Sequence, residues 1–205
     1  MGSTNEGGLR FGPLGDNTIH LCVNMQAMFA DKTDWNTPWM ARVLPNVERL
    51  VRRDPARTIF TRFIPAQNAG AAQGAWRHYY EHWHAMTLDE LDPAMVEIVP
   101  SLAGFAPPAA VFDKTTYGPW NDGTLETMLR RRGTDTLVVT GGETDVCVLG
   151  TVLGAVDRGF QVVVVGDGLC SASDETHDAL MLLYSHRYGA QVEIARTDEV
   201  LAQWR

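Results

Sequence analysis

Thr136-Leu137-Val138-Val139-Thr140-Gly141-Gly142-Glu143-Thr144-Asp145-Val146-Cys147 reads as a short apolar run, a glycine turn and the opening of a helix. The helical pattern continues from Val148 to Arg158, and Gly159 closes it. A second apolar run, Gln161 to Val165, follows at once. Strand, helix and strand at this spacing make a right-handed βαβ unit in a parallel sheet. The same rhythm extends in both directions. Further strands are expected at Thr18 to Val23, Arg57 to Phe63, Ala109 to Phe112 and Gln191 to Ile194. Their near-continuous apolar character suits burial on both faces. Helices are expected from Pro38 to near Asp54-Pro55, around Leu125, Met128 and Leu129 up to Gly133, and from Asp174 to Tyr188 before Gly189. The fold class is therefore α/β: a three-layer, Rossmann-like arrangement with a mostly parallel six-stranded sheet and helices on both faces. The stretch from Ala66 to Ala106, crowded with Trp, His and Tyr, interrupts the rhythm as a long insertion.

The chain has 205 residues and a formal net charge of −8, so one compact domain is expected. Residues 1–16 carry five glycines and read as a flexible N-terminal arm, with one domain over 17–205. The acidic balance argues against nucleic acid or anionic membrane as a partner, because both reward clustered Lys and Arg. No apolar run approaches the roughly 20 residues that span a bilayer. Met1 to Gly8 show no basic region followed by an apolar stretch, so a cytoplasmic protein is expected. Three cysteines at wide spacing, Cys22, Cys147 and Cys170, make no disulfide framework.

In an open parallel sheet, ligands bind beyond the carboxyl ends of the strands. Cys147 is the strongest candidate there, since a helix N-terminus favours a thiolate and its amides can hold an oxyanion. The competing reading is a small buried hydrophobe, which Cys22 and Cys170 receive outright. Lys114 follows a buried strand, where it can stabilise a thiolate or carboxylate, or snorkel from a sheet edge.

Three ordered motifs resemble the isochorismatase-like cysteine hydrolases, which include nicotinamidases, N-carbamoylsarcosine amidases and biuret hydrolases. They are His20-Leu21-Cys22-Val23-Asn24-Met25-Gln26-Ala27-Met28-Phe29, Val111-Phe112-Asp113-Lys114-Thr115-Thr116-Tyr117-Gly118-Pro119-Trp120, and Thr140 to Val148. Downstream Gly159, Val162 to Val165, Asp167 and His177 fit as well, so the resemblance runs from about residue 17 to 196. It implies a Cys–Lys–Asp triad that hydrolyses a C–N bond in a small amide, carbamoyl or ureido compound through an acyl-enzyme. It also implies a cis peptide at Gly142–Glu143, with the amides of Glu143 and Cys147 as oxyanion hole. Assembly as a dimer or tetramer is implied too.

The sequence departs from this pattern at the base. Asn24 stands at the aspartate position, and an amide cannot accept the thiol proton at neutral pH. Asn24 fits a substitution introduced to trap bound substrate, the reading favoured by the intact remaining motifs. It also fits a natural chain with weak or no hydrolysis. Rival readings are a non-catalytic binding or scaffolding protein and an isochorismatase-type vinyl ether hydrolase.

No metal or other cofactor is expected. The position of the Asp-x-His pair of metal-binding nicotinamidases reads Arg62-Phe63-Ile64-Pro65, and His78, His82 and His84 lack clear ligand spacing. Candidate substrate-binding residues are Gln26, Phe29, Arg62, Tyr117 and Trp120. Gln26 has orientation of the site as its alternative role, and Arg62 pairing with an acidic neighbour. Trp76, Tyr79, Tyr80 and Trp83 are read as core or subunit-interface packing rather than pocket.

Overall fold

The computed structural model describes residues 9–205. Six strands form one sheet: β1 Thr18–Val23, β2 Thr58–Phe63, β3 Ala110–Lys114, β4 Thr136–Gly142, β5 Gln161–Cys170 and β6 Val192–Ala195. The order is β3-β2-β1-β4-β5-β6, and every neighbouring pair is parallel. All six expected strands are present, β1 with the expected ends and the other five with shifted ones. β2 starts a residue late because Pro55–Arg57 form a 3-10 turn, capped by the Asp54 carboxylate accepting from the Arg57 N–H. β4 and β5 run longer than their apolar runs, since Gly141 pairs with Leu169 and Gly142 with Cys170 beyond a register shift after Val139.

The helices are α1 Ala27–Ala30, α2 Met40–Arg53, α3 Ala75–His82, α4 Pro100–Ala103, α5 Thr124–Arg131, α6 Leu149–Asp157, α7 Asp174–His186 and α8 Thr197–Gln203. Strand alternation distributes the side chains between two faces. Ile19, Leu21, Val23, Leu137, Val139, Val162 and Val164 face a core shared with Leu125 of α5, Val152 of α6 and Tyr184 of α7. Val138, Val163 and Val165 point the other way, toward Leu50 of α2 and Val200 of α8. The three-layer expectation holds. Among the described residues, no helix is long and apolar enough to cross a membrane.

The N-terminal arm needs correcting. Residues 1–8 lie outside the described residues, but 9–16 are packed rather than loose. Leu9 and Leu14 are buried with Val200 and Trp204, and Leu14 bridges Trp204 in parallel. Arg10 donates to the Val192 carbonyl at 3.1 Å. The glycines at this end hid two apolar anchors that a composition count does not weigh.

His20 lies in the middle of β1, fully buried between the hydroxyls of Thr140 (2.7 Å) and Thr58 (3.4 Å). Burial disfavours the imidazolium and pushes its pKa from 6.5 down to about 3. The unfolded chain therefore binds a proton that the folded chain refuses. The neutral ring's full stability is present above pH 6.5 and is lost as pH falls from there toward about 3. At about 1.4 kcal/mol per pH unit, moving from pH 7 to pH 5 costs about 2 kcal/mol. Urea titrations at the two pH values test this, and His20→Gln should flatten the difference.

Candidate active site

β1 and β4 sit side by side at the centre of the sheet, yet the chain leaves β1 for β2 and β4 for β5, on opposite sides. The crevice at such a switch point lies beyond the carboxyl ends of the two strands. Asn24 follows β1 directly, Cys147 follows the β4 turn, and Lys114 ends β3. Gly141 permits this convergence. It adopts φ +104°, and a Cβ there would lie 2.0 Å from the Val23 carbonyl oxygen. Gly141→Ala should lower stability by about 3–5 kcal/mol, combining a disfavoured φ with backbone overlap. Chemical denaturation measures it, and a loss below about 1 kcal/mol would refute the close-approach argument.

The turn after β4 carries the cis Gly142–Glu143 peptide. Cys147 was expected in the first turn of an α-helix. Instead, Thr144–Val148 form a wider π-helical turn, and α6 begins at Leu149. Such turns recur at functional sites because they re-aim one side chain. The Glu143 carbonyl accepts the N–H groups of both Val146 (3.1 Å) and Val148 (3.0 Å). Side chains bolt the turn down from outside. The Thr144 hydroxyl bonds the Cys170 carbonyl (3.1 Å) and His177 Nδ1 (2.8 Å), and Ser171 donates to Asp145 at 2.6 Å. Thr151 donates to the Cys147 carbonyl at 2.8 Å. The thiol-bearing residue is 6% exposed. Burial raises the Glu143 carboxyl pKa, Asp145 adds to the rise, and the Ala172 N–H opposes it.

Lys114 is 5% exposed and lies within electrostatic reach of Cys147. Its ammonium donates to the Thr116 carbonyl at 3.1 Å and lies 5.0 Å from the centre of the Phe63 ring. Burial pushes its pKa down, while the sulfur beside it pulls the other way. Asn24 has φ +51°, a left-handed conformation that Asn and Asp tolerate better than most residues. Its side chain is buried, and among the described residues neither carboxamide atom has a hydrogen-bond partner.

The residues expected to bind substrate divide. Gln26 is a clamp: its Oε1 accepts from the Phe63 N–H (2.7 Å), and its Nε2 donates to the carbonyls of Phe63 (3.0 Å) and Val96 (2.8 Å). It ties β1 to the insertion, with both of its amide hydrogens engaged. Arg62 takes the alternative role, gripping Asp113 with Nε (2.8 Å) and Nη2 (2.9 Å) and Glu97 with Nη1 (2.8 Å). Trp120 is a correction. Its indole donates to the Thr151 carbonyl (3.0 Å), lies against Gly154 of α6 and stacks on Phe160, within the core of that face. Phe29 is buried and stacks on Trp35 at 6.1 Å. Tyr117 stays 38% exposed.

The insertion aromatics pack as expected: Tyr80 is buried in the core that contains Phe60 and Phe63, and Trp76, Tyr79 and Trp83 pack against it. Trp76, Tyr79 and Tyr80 of α3 cluster with Tyr117, whose ring is 4.8 Å from Trp76 and 6.4 Å from Tyr79. The phenols of Tyr79, Tyr80 and Tyr117 all lie within electrostatic reach of Cys147. Burial pushes each phenol's pKa up, so all three remain hydroxyl donors. A cleft of about 360 Å³ opens beside them, walled by Ala71, Ala72, Trp76, Tyr80, Thr115 and Thr116. Trp83 instead packs on His82, and His78 bonds Glu81. Among the described residues, no three His, Cys, Asp or Glu side chains group as metal ligands.

A family model described as an isochorismatase domain matches residues 18–196. The uncharacterized isochorismatase family protein YwoC of Bacillus subtilis (strain 168) is 28% identical over 168 residues, spanning 79% of this chain and 83% of that protein. A cysteine hydrolase from Pseudomonas syringae pv. phaseolicola 1448A superposes with a TM-score of 0.80 at 23% identity, covering 98% of each chain. The N-carbamoylsarcosine amidase of Thermoplasma acidophilum superposes with a TM-score of 0.70 at 19% identity, covering 89% of this chain and 97% of that one. The family match spans the central sheet, the β4 turn and Lys114 alike, and the chain belongs to the isochorismatase family, hydrolases that include amidases.

Proposed function

We propose that this chain hydrolyses a C–N bond of a small amide, carbamoyl or ureido compound through a thioester on Cys147. The observation that carries this reading is buried Cys147 on the π-helical turn that follows the cis Gly142–Glu143 peptide, with buried Lys114 in electrostatic reach of it. The sulfur attacks the carbonyl carbon, and the backbone N–H groups of Glu143 and Cys147 hold the oxyanion. The amine leaves with a proton, and water then releases the acid from the thioester. Tyr79, Tyr80, Tyr117 and Trp76 form the apolar wall against which the substrate lies. Their flat, donor-bearing faces suit a planar amide. Asn24 lowers turnover at neutral pH, because a carboxamide cannot take the thiol proton. The protein acts as a cytoplasmic dimer or tetramer without a cofactor.

An ammonia-release screen of nicotinamide, pyrazinamide, benzamide, N-carbamoylsarcosine and biuret, on the wild type and on Asn24→Asp, tests the reading. Mass spectrometry of the quenched reaction should show acylated Cys147. Absence of both product and adduct in both proteins would sink it.

Asn24 favours a second reading, a non-catalytic binding protein. In that case Cys147 of the Asn24→Asp protein reacts with iodoacetamide no faster than an ordinary thiol. A vinyl ether hydrolase of the isochorismatase type is less well supported. That branch uses the aspartate as an acid and lacks the cysteine, so Asn24 and Cys147 both count against it.

A further inference from the structure

α7 presents two unlike faces. Its inner face carries the buried His177 and Tyr184, with Leu180 and Met181 packed on the core beside them. His177 Nδ1 bonds the Thr144 hydroxyl at 2.8 Å, and the Tyr184 hydroxyl donates to the Thr144 carbonyl at 3.5 Å. This face belongs to the turn after β4. The outer face carries Glu175, Ala179, Leu182 and His186, all exposed and spaced four, three and four residues apart. That spacing lines side chains along one seam of a helix. Leu182 is 59% exposed, and Leu183 beside it is 43% exposed. Single exposed leucines are ordinary, but two adjacent ones in the middle of a surface helix mark a contact face.

The charges around this face divide by end. Asp174, Glu175 and Asp178 occupy the start of α7, while His186 and Arg187 stand at its close. Among the described residues, none of the five takes part in an ion pair. Two copies of the helix laid antiparallel about a two-fold axis satisfy all of these features in one register. With the axis between Leu180 and Met181, Ala179 of each copy meets Leu182 of the other, so a small side chain receives a large one. The same register sets Asp174 against Arg187 and Glu175 against His186. We propose that the outer face of α7 joins two copies of this chain as an antiparallel, two-fold helix pair. A foreign partner would require no such match between the helix and its own inverted copy. The contact supplies a surface for the assembly proposed above, on which it rests, and is independent of the chemistry at Cys147.

One pair of 13-residue helices makes a contact at the small end of specific interfaces, below about 1,200 Å², so the copies should exchange at micromolar concentrations. Sedimentation velocity of the full chain from about 1 to 100 μM should show monomer passing into dimer. Leu182→Glu should weaken the association at least about 10-fold, because it sets a carboxylate against Ala179 in each half of the contact. The side chain is exposed in the single copy, so the circular dichroism spectrum and thermal midpoint should stay as in wild type. A second set of variants tests the register. At low salt, Asp174→Arg and Arg187→Asp should each weaken the dimer by about threefold or more, since each sets like charges opposite one another. A chain carrying both should recover to within about twofold of wild type, because the pair is then restored with its signs exchanged.

A monomer at every concentration overturns the proposal and the assembly with it, and leaves the hydrolase reading untouched. A dimer or tetramer as tight in Leu182→Glu as in wild type leaves the assembly standing and overturns this surface. Loss of association in both charge variants without recovery in the combined one overturns the antiparallel register.

Discussion

Asn24→Asp raises amide turnover at neutral pH by about 10²–10⁴-fold, the usual worth of a positioned general base. The change is nearly isosteric, and the site is already shaped for it. Asn24 holds φ +51°, which aspartate also tolerates, and among the described residues its carboxamide makes no hydrogen bond that the substitution would break. The new carboxylate gains a counter-ion in Lys114, whose burial now pushes its pKa down. A carboxylate nearby favours the ammonium, so the lysine pKa should rise and the pair should become an ion pair. The thiol proton then has a basic oxygen to go to. Steady-state ammonia release from both proteins, across the amide panel, measures the gain. A change below about threefold for every amide that either protein cleaves would show that position 24 is not the base.

In the Asn24→Asp background, Cys147→Ala should remove at least about 10⁴-fold of that turnover, because loss of a nucleophile also forfeits its covalent route. The fold should survive. Cys147 is held by its turn rather than by its sulfur: Thr151 grips its carbonyl, and the Glu143 carbonyl anchors the residues on either side. Loss of the acyl adduct, with an unchanged near-ultraviolet circular dichroism spectrum, is the expected pair of observations. Retained turnover would move the chemistry to another group.

Legibility in the sequence varied with residue type. β1 and the first halves of β4 and β5 were readable because their apolar residues are continuous, and a strand buried on both faces admits little else. The second half of β5, Gly166-Asp167-Gly168-Leu169-Cys170, was not readable. Two glycines and an aspartate look like a loop, yet this segment pairs with β4 beyond the bulge. Asp167 then has a job that no local pattern announces: its carboxylate accepts the Thr197 N–H at 2.8 Å and starts α8. α8 itself spans seven residues, too few for a periodic pattern to stand out.

The candidate site shows the same division. Cys147 and Lys114 are candidates because each follows or ends a strand, and a parallel sheet gathers strand ends at one edge; Asn24 is one through its place in a family-like motif. Of the two aromatic assignments, the core packing of the insertion held and the pocket role of Trp120 did not. Trp120 lies six residues after Lys114, but the intervening turn carries its ring onto Gly154, where a Cβ would lie 2.1 Å from the indole. Trp76 and Tyr79 are far from every motif in sequence, and α3 brings them to Tyr117. Residue spacing measures distance along the chain, and side-chain direction after a turn is decided by what it packs against.

The sequence by itself determined the parallel sheet, through short-range rules: apolar runs, glycine turns and the direction of strands. The same rules put forward Cys147 and Lys114 at strand ends as candidates, and the resemblance of three motifs put forward Asn24. The tertiary structure alone decided which groups are engaged and which are free. It spent Arg62 on two carboxylates, turned Gln26 into a clamp, and left Lys114 buried and, among the described residues, without an ion pair. Burial and partnership arise between segments far apart in the chain, so no window of sequence contains them.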